Sequence, residues 1–163
     1  YNVDGSEYNK DLREYANIFL EKEGIYLKIL SAERDKCPVT TKKYDGIVVG
    51  WGAYTHIRNK QTRLAFLNEI SKLLNPDGVI LISFWARRFS FLNLERIAKS
   101  GNFVAKIFKE EKVEKGDFLD PEFVHYFTKF EIEEELNNAN FEVLDYDDEV
   151  YGNIIGKKRS DVL

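Results

Sequence analysis

The stretch KKYDGIVVGWGAYTHI, residues 42–57, concentrates the groups in this chain best suited to chemistry. An apolar run, Ile47-Val48-Val49, ends on Gly50-Trp51-Gly52, and His56 follows shortly after. Two glycines keep a backbone thin where a ligand must come close. The tryptophan between them offers a π-face that attracts a cation, or a ring to pack beneath the following helix. An imidazole titrates near neutral pH, so His56 suits a general base or a hydrogen-bonding anchor for its own loop. Two acids stand at comparable places. Asp4 follows Tyr-Asn-Val, and Glu33 follows Leu30-Ser31-Ala32. Each carboxylate presents two acceptor oxygens to hydroxyl or amine donors. Plainer uses compete: Asp4 as an acid near a helix N-terminus, Glu33 as a solvated loop acid.

Other chemistries find little support. No Ser-His-Asp arrangement and no zinc-ligand spacing occur, and His125 has no partner at ligand spacing, so no metal is expected. Cys37 is the single cysteine, which points to a reducing, cytoplasmic compartment. With 24 Lys and Arg against 28 Asp and Glu, the formal net charge is −4 and argues against general nucleic-acid binding. No apolar run reaches bilayer length, so no membrane partner is expected.

The elements that must position these groups alternate. Residues 1–4 read as the end of a strand, and Ser6 as the cap of a helix with an apolar stripe at Tyr8, Leu12, Tyr15, Ala16, Phe19 and Leu20. Gly24 closes that helix, and 25–30 alternate as a strand. Residues 44–50 and 79–85 are apolar enough to be strands covered on both faces of a parallel sheet. Between them lie a helix at 59–74 and an Asn-Pro-Asp-Gly turn at 75–78. Residues 86–120 are irregular, with a short helix expected near 91–100. Thr128-Lys-Phe-Glu131 is a capping box before a helix faced by Ile132, Leu136 and Ala139. Strands at 141–147 and 150–158 are too close for a crossover and must pair antiparallel. The expected fold is one α/β domain over 1–163, a three-layer sandwich whose mostly parallel sheet ends in an antiparallel C-terminal hairpin.

That order resembles the class I S-adenosylmethionine (SAM) dependent methyltransferases. VDGSE is similar to the family's second motif, SAERDKCP to its third, and KKYDGIVVGWGAYTHI to its fourth. LLNPDGVILISFW and FTKFEIEEELNNANFEVLDY resemble its fifth strand and its last helix with strand six. No counterpart of its first strand and glycine-rich loop occurs before residue 44. Several dozen further residues upstream are therefore expected. The alternative is a rearranged domain in which the strands left unpaired on either side of the missing one, 44–50 among them, pair directly.

The resemblance implies roles. Asp4, with Glu7 as second choice, would accept from the ribose hydroxyls of SAM. Glu33 would accept from the adenine amine, with Ala32 leaving room for the ring. Gly50, Trp51 and Gly52 would line the sulfonium, and His56 would be the base. The segment at 86–120 is a candidate acceptor lid, with Arg87, Arg88, Phe89 and Phe91. Tyr54, His125 and Tyr126 are further acceptor contacts, the plainer reading being a solvated basic face. The implied activity is methyl transfer to a small molecule. A protein or RNA acceptor, a non-catalytic scaffold of the same fold and a nicotinamide-dependent reductase are the alternatives. The terminal hairpin argues against the reductase.

Overall fold

The computed structural model describes residues 2–27, 29–87, 113–119 and 122–160. Arg88, Phe89, Phe91 and the helix expected near 91–100 lie outside them. The chain divides into two compact units, residues 1–42 and 43–163.

In the first unit, strand β1 (Gly5–Glu7) pairs in parallel with β2 (Ile29–Ser31), and helix α1 (Lys10–Lys22) connects them. The strand begins after Asp4, where the sequence suggested that it ends, so Glu7 is the acid that closes it. Ser6 pairs opposite Leu30 within the strand and is not a cap. Asn9 caps α1 instead, its side-chain oxygen accepting from the Asp11 and Leu12 amides at 2.9 and 3.1 Å. Gly24, at φ +70°, ends the helix as expected. The Ile25 amide then donates to the Leu20 carbonyl at 2.8 Å. That bond commits Ile25 to the helix end and shortens the strand expected from residue 25. The apolar stripe of α1 is exposed at Tyr8, Leu12, Tyr15 and Phe19.

The second unit holds β3 (Tyr44–Val49), a one-turn 3₁₀ helix (Ala53–His56), α2 (Lys60–Leu73), β4 (Leu74–Phe84), β5 (Asp117–Leu119), β6 (Phe123–His125), α3 (Lys129–Asn138), β7 (Phe141–Asp147) and β8 (Gly152–Lys158). Four strands form one sheet in the order β3-β4-β8-β7. Only β3–β4 is parallel; β4–β8 and β7–β8 are antiparallel. The sheet is therefore mixed rather than mostly parallel. The expected hairpin folds back so that β8, not β7, lies beside β4. Among the described residues β1 pairs only with β2, and β3 only with β4, so the direct pairing onto 44–50 that a rearranged domain would need is not formed. The Asn-Pro-Asp-Gly segment loops out of the β3–β4 ladder, whose register jumps from Tyr44–Leu74 to Gly46–Val79.

Alternation along β4 turns Ile80, Ile82 and Phe84 inward, where they are buried with Leu67 and Ile70 of α2 and Ile132 and Leu136 of α3. Gly156 lets the helix layer approach, since a Cβ there would stand 2.6 Å from Leu136 Cδ2. The capping box forms as expected: the Glu131 amide donates to the Thr128 hydroxyl, and the Thr128 amide donates to Glu131 Oε2 at 2.7 Å. The other sheet face departs from the expectation of strands covered twice, because Val48 and Val79 are exposed.

Candidate active site

The glycine-tryptophan-glycine segment forms a tight turn at the carboxyl end of β3. The Ala53 amide donates to the Gly50 carbonyl at 3.0 Å, and the two central residues, Trp51 and Gly52, have φ of +56° and +68°. For glycine this backbone is free of penalty; for a bulky tryptophan it is strained. The Gly52 amide is fixed by the Ser83 hydroxyl of β4 at 2.9 Å. A Cβ on Gly52 would stand 2.8 Å from the Trp85 indole nitrogen. Gly52 thus makes room for a side chain as well as for the turn. Trp51 itself is fully exposed and does not pack under the helix.

The helical turn that follows is held from below. Tyr54 is wholly buried, and its hydroxyl donates to Glu135 Oε2 at 2.6 Å. Its ring stacks on Phe127 at 5.4 Å. Its ring and hydroxyl are spent on the core, so the acceptor contact expected of Tyr54 gives way to a structural role. Burial, then the negative charge of Glu135, push its phenol well above the usual range. Arg63, also buried, donates from Nε and Nη2 to Glu135 at 3.0 and 2.8 Å, and from Nη2 to Glu114 at 2.7 Å. Burial alone would weaken its charge, but the bonds to Glu135 and both carboxylates raise its pKa.

His56 is half-buried, with Nδ1 2.9 Å from the Phe123 carbonyl. A carbonyl only accepts, so Nδ1 carries the hydrogen and Nε2 keeps its lone pair. His125 is buried, and its Nδ1 lies 2.6 Å from Asp117 Oδ1 and 4.0 Å from Glu114 Oε2. The β5–β6 hairpin supplies the partners that sequence spacing did not reveal. Ligand atoms of Glu114, Asp117 and His125 lie within 4.8 Å of one another, close enough to hold a cation. The carboxylate oxygens are already engaged, however. Glu114 accepts from the Lys60 amide at 2.8 Å and from Arg63, and Asp117 Oδ2 from the Glu114 amide at 2.6 Å. With an arginine beside it, the cluster is a charge network bordering a cleft of about 220 Å³.

Arg87 donates to the Lys115 carbonyl at 2.8 Å and to Glu131 at 2.6 Å, which ties it into the hairpin and the α3 cap. Burial would raise the Glu131 pKa. The Thr128 amide and hydroxyl and the Arg87 guanidinium outweigh it and hold that carboxyl below the usual range. Tyr126 is half-buried, edge-on to Trp85 at 5.7 Å. Trp85 escaped the sequence reading, although a tryptophan at the end of an apolar strand was a signal available there.

In the first unit, Ala32 and Glu33 follow β2 directly. Glu33 is exposed and paired with Lys36, whose hydrogen bond and charge lower its pKa. Asp4 holds the Lys42 ammonium at 2.7 and 3.0 Å. Each carboxylate thus accepts from an ammonium, with oxygens of the kind that take hydroxyl or amine donors.

Parallel pairing of β1 with β2 and of β3 with β4, Glu7 closing β1, a glycine turn after β3 and a terminal antiparallel hairpin define an α/β fold. The chain matches the methyltransferase domain family over residues 1–146 and belongs to it. It is an enzyme that carries out SAM-dependent methyl transfer. A SAM-dependent methyltransferase from Methanosarcina mazei superposes with a TM-score of 0.73 at 17% identity, covering 98% of this chain and 82% of that one. One from Clostridium acetobutylicum gives 0.68 at 13%, covering 98% and 76%. A SAM-bound amino pentose methyltransferase from Micromonospora echinaspora gives 0.62 at 11%, covering 96% and 74%. A comparison with curated proteins finds no sequence match. Among the described residues no helix is long and apolar enough to cross a membrane.

Proposed function

We propose that the methyl acceptor is a small molecule bound at the carboxyl end of β3, and that His56 takes its proton. The tautomer of His56 carries this reading. With Nδ1–H held by the Phe123 carbonyl, Nε2 is the free basic atom. SAM, when bound, supplies a methyl group activated on a sulfonium. The chain's own part is alignment and proton removal. The Gly50–Gly52 turn leaves the approach open, Trp51 walls it, and the acceptor's proton passes to His56 Nε2.

Asp4 remains the proposed ribose ligand, and Glu7 gains weight because it closes β1. Ala32 and Glu33 remain proposed for the adenine. Tyr126 and Arg88 stay as acceptor contacts, with Arg87 positioning the hairpin and the 86–120 segment acting as a lid on a single domain. The exposed Val48 and Val79 support a third layer over that sheet face. The lone Cys37 supports a cytoplasmic location, and the net charge of −4 a non-nucleic-acid acceptor.

Calorimetric titration of S-adenosylhomocysteine tests the cofactor half. Micromolar binding weakened by Asp4→Ala or Glu7→Ala supports it, and no binding by folded protein overturns it. Labelled methyl transfer to an acceptor panel tests the rest. His56→Ala should lower kcat by about 10²–10⁴ without changing S-adenosylhomocysteine affinity.

A further inference from the structure

The geometry points to a planar aromatic or heteroaromatic ring as the methyl acceptor, held against Trp85 with Tyr126 and Tyr151 as side walls and Trp51 as the opposing face. This rests on the reading above that the acceptor binds at the carboxyl end of β3, and it goes further by naming the acceptor's class.

The first observation is an aromatic array beside the glycine turn. Trp85 follows β4 directly. Tyr126 meets it at 5.7 Å and 89°, and Tyr151, in the β7–β8 turn, at 6.5 Å and 69°. Rings set nearly upright to one another make walls rather than a flat floor. Trp85 keeps 42% of its surface open and Tyr151 62%, so the array is unfilled. An incoming flat ring can add itself by the same edge-to-face or offset geometry that joins these three. A saturated ring of equal size stands off by its axial hydrogens and loses that fit.

The second observation is rigidity. The Trp85 amide donates to the Thr55 hydroxyl at 2.9 Å, and its carbonyl accepts from the Phe127 amide at 2.9 Å. The indole therefore stands on a backbone fixed on both sides, a preformed platform. The third is the strain at Trp51. Its positive φ is unrelieved by any packing, since the side chain is fully exposed. Strain of this kind gathers at ligand clamps. Gly52, the next residue, lies against the Trp85 indole nitrogen. Gly52 thus has Trp51 beside it in the chain and the Trp85 indole against it in space, at the end of the strand where transfer is proposed.

The test uses two probes with one carbon skeleton, 2-naphthol and its saturated, non-planar counterpart decahydro-2-naphthol. Each is titrated calorimetrically into the protein with and without S-adenosylhomocysteine. The expected result is saturable 2-naphthol binding at least about tenfold tighter than decahydro-2-naphthol. Trp85→Ala should cost about tenfold or more, and Trp85→Phe should retain most of the binding. Trp51→Ala and Tyr151→Ala, both at exposed positions, should each cost several-fold, and they carry the test if Trp85→Ala does not fold. Equal affinity for the two probes, weak binding of both, or indifference of 2-naphthol to these variants overturns the proposal. S-adenosylhomocysteine binding with no 2-naphthol preference removes the aromatic acceptor and leaves the cofactor reading standing. The reverse removes the cofactor reading alone.

Discussion

Glu135→Gln should be among the most damaging single-atom changes in this protein. Glu135 and Arg63 each keep 2% of their side-chain surface exposed. The carboxylate accepts from Arg63 Nε and Nη2 and from the Tyr54 hydroxyl. An amide in its place removes the negative charge and turns an NH₂ donor toward a donor, either the guanidinium or the phenol. Breaking a buried pair from one side costs about 3–5 kcal/mol, much of it the penalty on the charge left behind. Glu114 still bonds Arg63, and its 26% exposure lets water share the load, so the lower end applies, about 3 kcal/mol. At a urea slope of about 2 kcal/mol/M the midpoint falls by about 1.5 M. The partner test is Arg63→Met with Glu135→Leu. Two apolar side chains in place of the pair remove both charges from the core, so this double variant should unfold within about 1 kcal/mol of the parent. The assay is urea unfolding of Glu135→Gln and of a double-mutant cycle made of the parent, Arg63→Met, Glu135→Leu and the double variant. A Glu135→Gln loss below about 1 kcal/mol, or single losses that simply add, would refute the claim that a desolvated ion pair holds the 3₁₀ turn.

Trp51→Gly removes the positive-φ penalty, so the variant should gain about 1 kcal/mol in thermal unfolding while binding S-adenosylhomocysteine and 2-naphthol more weakly. Gly52→Ala sets a Cβ 2.8 Å from the Trp85 indole nitrogen in a φ +68° backbone. It should cost roughly 1–3 kcal/mol and depress methyl transfer, read by denaturation and turnover on the same preparation. The Glu131 carboxyl titrates lower folded than unfolded. Its contribution is therefore complete above the unfolded pKa and disappears as pH falls through the folded one. Thr128→Ala, costing about 1 kcal/mol at neutral pH, should flatten the acid limb of the stability profile; an unchanged acid limb would count against this account.

Much of the frame was legible because its signals are local. The Thr128–Glu131 capping box is read within one helical turn. The alternation that buries Ile80, Ile82 and Phe84 is read within one strand, and the short gap before β8 forces an antiparallel hairpin. Asn-Pro-Asp-Gly announced its turn by residue type, although it became an excursion within a ladder. The ends of β1 and α1 were less legible. Asp4, Ser6 and Asn9 are all competent there, and only the pairing of Ser6 with Leu30 leaves Asn9 as the cap.

The amino-acid sequence by itself determined the helices α1, α2 and α3, the apolar strands and the methyltransferase resemblance, since propensity, capping and periodicity act over a few neighbouring residues. The tertiary structure alone decided which of the chemical residues are committed to holding the fold. Tyr54 and Glu135 are 81 positions apart and Arg63 and Glu135 are 72 apart, yet burial makes them one charge network, because a desolvated ion must find its counter-charge wherever the fold brings one near. Trp85, Tyr126 and Tyr151 likewise became neighbours only when β4, the β5–β6 hairpin and the β7–β8 turn were brought together. No local pattern records that encounter, because it depends on strand order and packing rather than on the spacing of residues along the chain.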